Sequence, residues 1–357
     1  MDTLQEMNEK MRTLETTKKY KYNTKKGKTE WMMIRNNRRK EEAEPELEVS
    51  SGKIGRTRDY KYVGDKYDER GTNESKIKFK DNKVNLMVND IKAETTEKKL
   101  GKAALKTRIM LIETIITPTI LSSTETWHNI TQNEQNMIRN IHRNILTKTF
   151  NLPITTPYMG IISELNIIPY VEMIWFKKFM WFHRLINSNE DRMARIKLME
   201  QIKENDDNWY TEVRDYAEQN EIAIDETIIR STTYPRYKEH VAKRIRQKVK
   251  IDLEHEKEKR TKLRYIEPRK LQDYFNVCAI SEASMIMKIR LHMICAKGNF
   301  GGGKCRECHE EEETTEHVIS CQTGKNIEFD KEKVSDISWL RGASKVYAFF
   351  EEQYKNN

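Results

Sequence analysis

Apolar residues recur three and four apart at Leu4, Met7, Met11 and Leu14, which predicts an amphipathic helix. Trp31-Met32-Met33-Ile34 is a short apolar run in polar surroundings and predicts a buried strand. Residues 41–58 carry Glu41, Glu42, Glu44, Pro45, Glu46 and Glu48 ahead of Ser50-Ser51-Gly52, the composition of a flexible, exposed acidic linker. Tyr60-Lys61-Tyr62-Val63-Gly64 alternates and then turns, as a strand does. From about residue 84 to 186 the period is helical. Ala104, Leu111, Ile112, Ile115 and Ile116 form one face, which Pro118 is expected to stop. Thr131-Gln132-Asn133-Glu134 spells a capping box, opening a helix with Met137, Ile138, Ile141 and Ile145 inward. Thr156-Pro157 opens another, as a cap residue followed by Pro in the first turn. The stretch from Pro169 to Leu185 is the most apolar and includes Trp175, Phe176, Phe179 and Phe182. At helical spacing Trp175, Trp181 and Phe182 read as core rather than as a surface for stacking bases. The block predicts an antiparallel helical bundle and the main core.

Polar helices follow to about residue 235. Between Arg236 and Lys270 there are fourteen Lys or Arg against six acids. Val241, Ile245, Val249 and Leu253 recur every four residues, so this is an amphipathic helix with a basic outer face. A short apolar helix near 281–291, a Gly301-Gly302-Gly303 hinge and a last helix with Trp339, Val346 and Phe349 complete the chain. The fold class is mainly α, with a small α+β part at the N-terminus and a small metal-binding module near the C-terminus. No internal repeat is visible.

The 357 residues leave room for two or three domains, and 37% hydrophobic against 34% charged residues implies modest cores joined by charged helical segments. The net charge of +9 favours polyanion partners, because Lys and Arg release counterions condensed on phosphates. Lys243, Arg244, Lys248 and Lys250 are the main candidate phosphate contacts, with Lys25 and Lys26 in the basic stretch 18–40 as a second group. Five cysteines, three of them clustered, argue against a disulfide framework. No long apolar run is present, so the expected location is nucleus or cytoplasm, not the secreted space, with no membrane partner.

Cys305-x2-Cys308-x8-His317-x3-Cys321 is the sharpest local signal. Two thiolates two residues apart share one metal across a tight turn, and a His and a Cys complete the tetrahedron that Zn²⁺ prefers. Four protein ligands close the coordination sphere, so this one zinc is expected to be structural. His309 is a competing ligand, and Glu310 to Glu313 read as a solvated edge. A polymerase needs paired acids after an apolar strand to hold Mg²⁺. The only adjacent aspartates, Asp206-Asp207, sit in polar sequence. No P-loop, nucleophile elbow or zinc-protease pattern is present.

Several segments, in order, resemble LINE-type (non-LTR) retrotransposon reverse transcriptases. Asn23 through Lys28-Thr29-Glu30-Trp31-Met32-Met33-Ile34 is similar to the fourth palm motif, and the Tyr60–Gly64 run with Asp68-x2-Gly71 and Lys76-Ile77 resembles the primer-grip hairpin. Ile116-Thr117-Pro118, Thr124-Glu125-Thr126-Trp127, then Leu152-Pro153-x2-Thr156-Pro157 with Glu164-Leu165 and Pro169, resemble the thumb. Arg290-Leu291-x8-Asn299-Phe300, running into the Cys/His set, resembles the C-terminal zinc knuckle.

The resemblance implies a palm remnant at 1–82, a helical thumb at 83–186, a polar and basic helical region at 187–297, a zinc knuckle at 298–325 and a tail helix at 326–357. It places the palm aspartates upstream of Met1, and leaves too few residues after Cys321 for a restriction-type nuclease. Lys28 matches the family's proton-donating palm lysine. The implied partners are RNA, an RNA–DNA hybrid or DNA, bound without polymerisation. Mg²⁺ is expected only if an upstream palm exists. Two alternatives stand beside this reading: a non-enzymatic zinc-binding adaptor for protein partners, and a fragment of a full RNA-directed DNA polymerase.

Overall fold

The computed structural model describes residues 30–32, 47–49, 52–62, 65–101, 103–204, 206–259, 274–293, 303–321 and 336–353, with 6, 9–14, 17, 263 and 333 besides. Of the described residues 69% are helical and 7% strand, consistent with the expected mainly-α class. The chain forms two compact units, residues 1–80 and 81–357.

In the first unit β1 (Glu30–Trp31) runs parallel to β3 (Gly52–Arg56), with Trp31 opposite Arg56. On its other edge β3 pairs antiparallel with β2 (Leu47–Val49), Leu47 opposite Ile54. The acidic linker expected at 41–58 is therefore sheet from residue 47 to 49 and from 52 to 56. Leu47, Val49 and Ile54 lie on one face and are buried against Met11 and Trp31. Glu48 faces the other way, where Lys53 pairs with it at 3.5 Å. Alternation, not acidity, decides the state of this segment. A second hairpin joins β4 (Asp59–Tyr62) and β5 (Asp65–Asp68), with Tyr60 opposite Tyr67. Gly71, at φ +67°, closes the turn after β5. Asp68 then accepts from the Thr72 N–H and the Thr72 and Ser75 hydroxyls at 3.2, 3.0 and 2.7 Å. Burial raises its pKa, but these hydrogen bonds outweigh that and hold the carboxyl below its ordinary range. They anchor the start of α1 (Glu74–Glu94).

In the second unit α2 (Glu97–Leu100) leads into α3 (Ala103–Leu111). Pro118 does not stop this helix. Residues Ile112–Ile116 widen into a π-turn, and α4 (Thr117–Leu121) continues with Pro118 in its first turn. Proline lacks the N–H and crowds the carbonyl four residues back, and the wider turn relieves both problems. α5 (Gln132–Thr149) opens on the expected capping box: Thr131 Oγ1 accepts from Glu134 N at 3.2 Å, and Glu134 Oε2 accepts from Thr131 N at 2.9 Å. α6 (Tyr158–Leu165) starts after Pro157. Thr156 is not its cap, since its hydroxyl donates back to Pro153 O at 2.6 Å. α7 (Tyr170–Ile186) meets α6 at 60°. No single described helix is long and apolar enough to cross a membrane.

Beyond α7 come α8 (Met193–Glu204), α9 (Trp209–Gln219), α10 (Glu226–Ser231) and α11 (Tyr234–Lys259). These polar helices complete a core with the apolar one. Phe179, Phe182 and Leu185 of α7 pack with Trp209, Val213, Tyr237, Val241 and Ile245. Truncating either Phe to Ala costs about 3–5 kcal/mol. Trp175 stacks on Tyr216 with centroids 4.0 Å apart, so it belongs to this core as expected. A second core joins Leu105, Leu146, Phe150, Ile161 and Leu165 to α12 (Tyr274–Val277), α13 (Ile280–Arg290), α14 (Thr315–Ser320) and α15 (Ile337–Gln353). The helices after residue 187 thus share cores with the expected bundle rather than forming a separate region.

Candidate metal centre

The Cys/His segment folds on itself through its backbone. Cys305 N donates to Glu311 O at 2.7 Å, and Glu313 N donates to Gly303 O at 3.0 Å. His309 N closes the turn onto Cys305 O at 2.9 Å, with His309 itself at φ +59°. This turn brings Cys305 and Cys308 to one side. Thr314 then caps α14 by accepting from His317 N at 3.1 Å, which places His317 in its first turn and Cys321 just past its end.

The four candidate ligands converge: one donor atom from each of Cys305, Cys308, His317 and Cys321 lies within 4.8 Å of the others. Cys305 Sγ and Cys321 Sγ are 3.9 Å apart, and Cys308 Sγ is 3.2 Å from His317 Nε2. Thiolates about 2.3 Å from a tetrahedral zinc stand about 3.8 Å apart, so the cluster fits one ion such as zinc. His309 is exposed and outside this set, which resolves the competition.

Two features around the ligands were not legible in the sequence. His317 Nδ1 lies 2.9 Å from Glu311 Oε2. With Nε2 turned to the thiols, Nδ1–H donates to that carboxylate and fixes the ring's tautomer and orientation. Glu313 is not a solvated edge. It is buried and accepts from Arg306 N, Nε and Nη2 at 3.1, 3.0 and 3.0 Å, locking the turn between the cysteines. Burial pushes the Cys305 thiol up to about 11, whereas the Glu311 and Glu310 backbone N–H groups bring Cys308 down to about 7. A bound cation would favour the thiolate at the buried end.

The candidate phosphate contacts divide. Lys243 and Lys250 are exposed on α11. Arg244 pairs with Glu221 at 2.7 Å, and Lys248 pairs with buried Glu172 at 3.4 Å and with Asp252 at 2.6 Å. Lys25, Lys26 and Lys28 lie outside the described residues. Asp206 and Asp207 sit in a turn before α9, with Asp207 exposed and 3.5 Å from His128.

Sequence reasoning missed Lys238 and Arg246. With Lys243 and Lys250 they line a groove of about 860 Å³ between α6 and α11. None of these four has an ion-pair partner among the described residues. The buried Ser163 hydroxyl, also on this groove, has no hydrogen-bond partner among them either. The surplus of cations on this helix was visible in the sequence, but which of them met a carboxylate was not. Searches with this chain find no matching family model, curated protein or solved structure.

Proposed function

We propose that this chain binds RNA, or a primer–template duplex, through the α6–α11 groove, with a structural zinc at the Cys305, Cys308, His317 and Cys321 cluster. The observation that carries the reading is the split among the cations of α11. Arg244 and Lys248 are neutralised by Glu221, Glu172 and Asp252, while Lys238, Lys243, Arg246 and Lys250, which line the groove together with Glu239, have no ion-pair partner among the described residues. From Lys238 to Lys250 the helix rises about 18 Å, at roughly 1.5 Å per residue. That matches about five phosphates along one strand of a duplex at 3.4 Å each. The resemblance to the thumb and knuckle of LINE-type reverse transcriptases supports the same class of partner.

The reading gives this chain no polymerisation. Asp206 and Asp207 lie before a helix and not after a strand, and a zinc held by Cys305, Cys308, His317 and Cys321 would keep no open position for substrate.

Fluorescence anisotropy with a labelled single-stranded RNA, titrated at stepped salt concentrations, tests the proposal. The expected result is binding at low salt that weakens linearly on a log–log plot. Absence of binding at low salt, or affinity indifferent to salt, would overturn it.

A further inference from the structure

Beside the groove lies a second cavity of about 310 Å³. The two share a rim: Asn166, Ile167, Ile168 and Arg246 border both. The volume is at the lower end of the roughly 300–1,000 Å³ typical of small-ligand pockets. Its walls are apolar, from Ile109 and Ile112 on the widened helix and from Leu146, Phe150 and Met173.

Six polar residues also line it, and they fall into two sets. Thr117 Oγ1 and Tyr170 OH are 3.1 Å apart, and His142 Nδ1 is 2.8 Å from Tyr158 OH. His142 also stacks on Tyr170 with ring centroids 3.6 Å apart. These groups are satisfied within the protein. The other three, Glu113, Asn166 and Arg246, are exposed, and their side chains have no hydrogen-bond partner among the described residues. The lining therefore combines one carboxylate, one amide and one guanidinium with apolar walls, and Asn166 and Arg246 also border the neighbouring groove.

We propose that this cavity receives one unpaired guanine of the strand held in the groove. The inference rests on the groove reading above. Guanine presents adjacent imino and amino N–H donors to a carboxylate, and its O6 and N7 acceptors to a guanidinium or amide. Adenine and cytosine lack the imino N–H, and uracil lacks the amino group. The ring enters apolar walls, and Arg246 sits where the phosphate track meets the cavity. Single-strand readers commonly splay a base out in this way and read its Watson–Crick edge.

The test compares an eleven-nucleotide oligouridine RNA with the same strand carrying one central guanine, at fixed salt, on the full chain. The guanine strand is expected to bind roughly tenfold tighter, the scale of one base contact. Glu113→Gln, at an exposed position, and Met173→Trp, which fills the chamber, should each bring the guanine strand towards the oligouridine affinity. Free guanosine monophosphate at micromolar concentration should not displace the strand, because it makes no groove contacts. Equal affinity for both strands, with salt-dependent binding intact, overturns the guanine site and leaves the groove. Full discrimination surviving in both variants overturns it as well. Displacement by the free nucleotide at strand-like concentrations reassigns the cavity to a mononucleotide. Failure of both strands to bind at low salt removes the groove reading and this inference together.

Discussion

Arg290 donates from Nε to both carboxylate oxygens of Glu164 at 2.9 Å, across 126 residues of sequence. Both side chains are buried, at 3% and 0% exposure, and Tyr274 OH adds a donor to Glu164 Oε2 at 2.7 Å. The pair ties α6 to α13, so it holds the groove-forming helix to the core that carries the metal ligands. Removing one partner strands the other charge in an apolar interior. Glu164→Ala or Arg290→Ala should each cost about 3–5 kcal/mol in denaturant unfolding. The double replacement Glu164→Leu with Arg290→Met should cost less than either single change, because it leaves no buried charge. A single change of less than about 1 kcal/mol, the range of solvated surface pairs, would show that the pair is solvated in solution.

The metal cluster should take up about one zinc per chain, from the four-ligand tetrahedral rule. Cys305→Ser together with Cys321→Ser should abolish uptake in elemental analysis. Both thiols lie in the same buried cluster as Val318, Ile319 and Leu340, so chelation should also lower the melting temperature. Glu311→Gln keeps all four ligands yet weakens the carboxylate on His317, and should reduce zinc affinity by about 10–100-fold. Zinc retained after His317→Ala would mean that exposed His309 can swing in to replace it.

His142 gives the fold an acid limit. It is fully enclosed, and desolvation lowers its pKa from 6.5 to about 3. A base with a depressed folded pKa is neutral in the native state and protonated in the unfolded chain between those two values. The unfolded state then binds the extra proton, so stability falls as pH drops from 6.5 to about 3 and levels below that. The slope from this group is about 1.4 kcal/mol per pH unit. His142→Phe should flatten the stability–pH curve by that amount over that window. An unchanged acid limb would place the titration elsewhere.

What can be read from the sequence is local. The capping box at Thr131 and Glu134 needs only residues three apart. The convergence of Cys305, Cys308, His317 and Cys321 is legible because one turn and one short helix place all four. What cannot be read is set by distant partners. Arg244 and Lys248 have the spacing of phosphate contacts, but Glu221 and Glu172 stand against them in the fold. Glu313 sits in an acidic run that reads as solvated, yet its bond to Arg306 buries it. Residues 47–56 have the composition of a linker because their exposed face is charged, while their inward face, Leu47, Val49 and Ile54, is short. Pro118 reads as a stop because a π-turn has no sequence signature of its own.

Four cations on one side of α11 have no ion-pair partner among the described residues, and the proposed RNA binding requires affinity to depend on salt through those side chains. The direct measurement is the slope of log affinity against log salt for a labelled RNA, in the wild type and in the Lys238→Gln, Lys243→Gln, Arg246→Gln and Lys250→Gln quadruple variant. Removing one phosphate-binding cation should reduce the slope by roughly 0.7 for a single strand, and removing all four by about three. Arg244→Gln, which removes a cation already paired with Glu221, should leave the slope where it was. A quadruple variant with wild-type melting, affinity and slope would contradict the groove assignment outright.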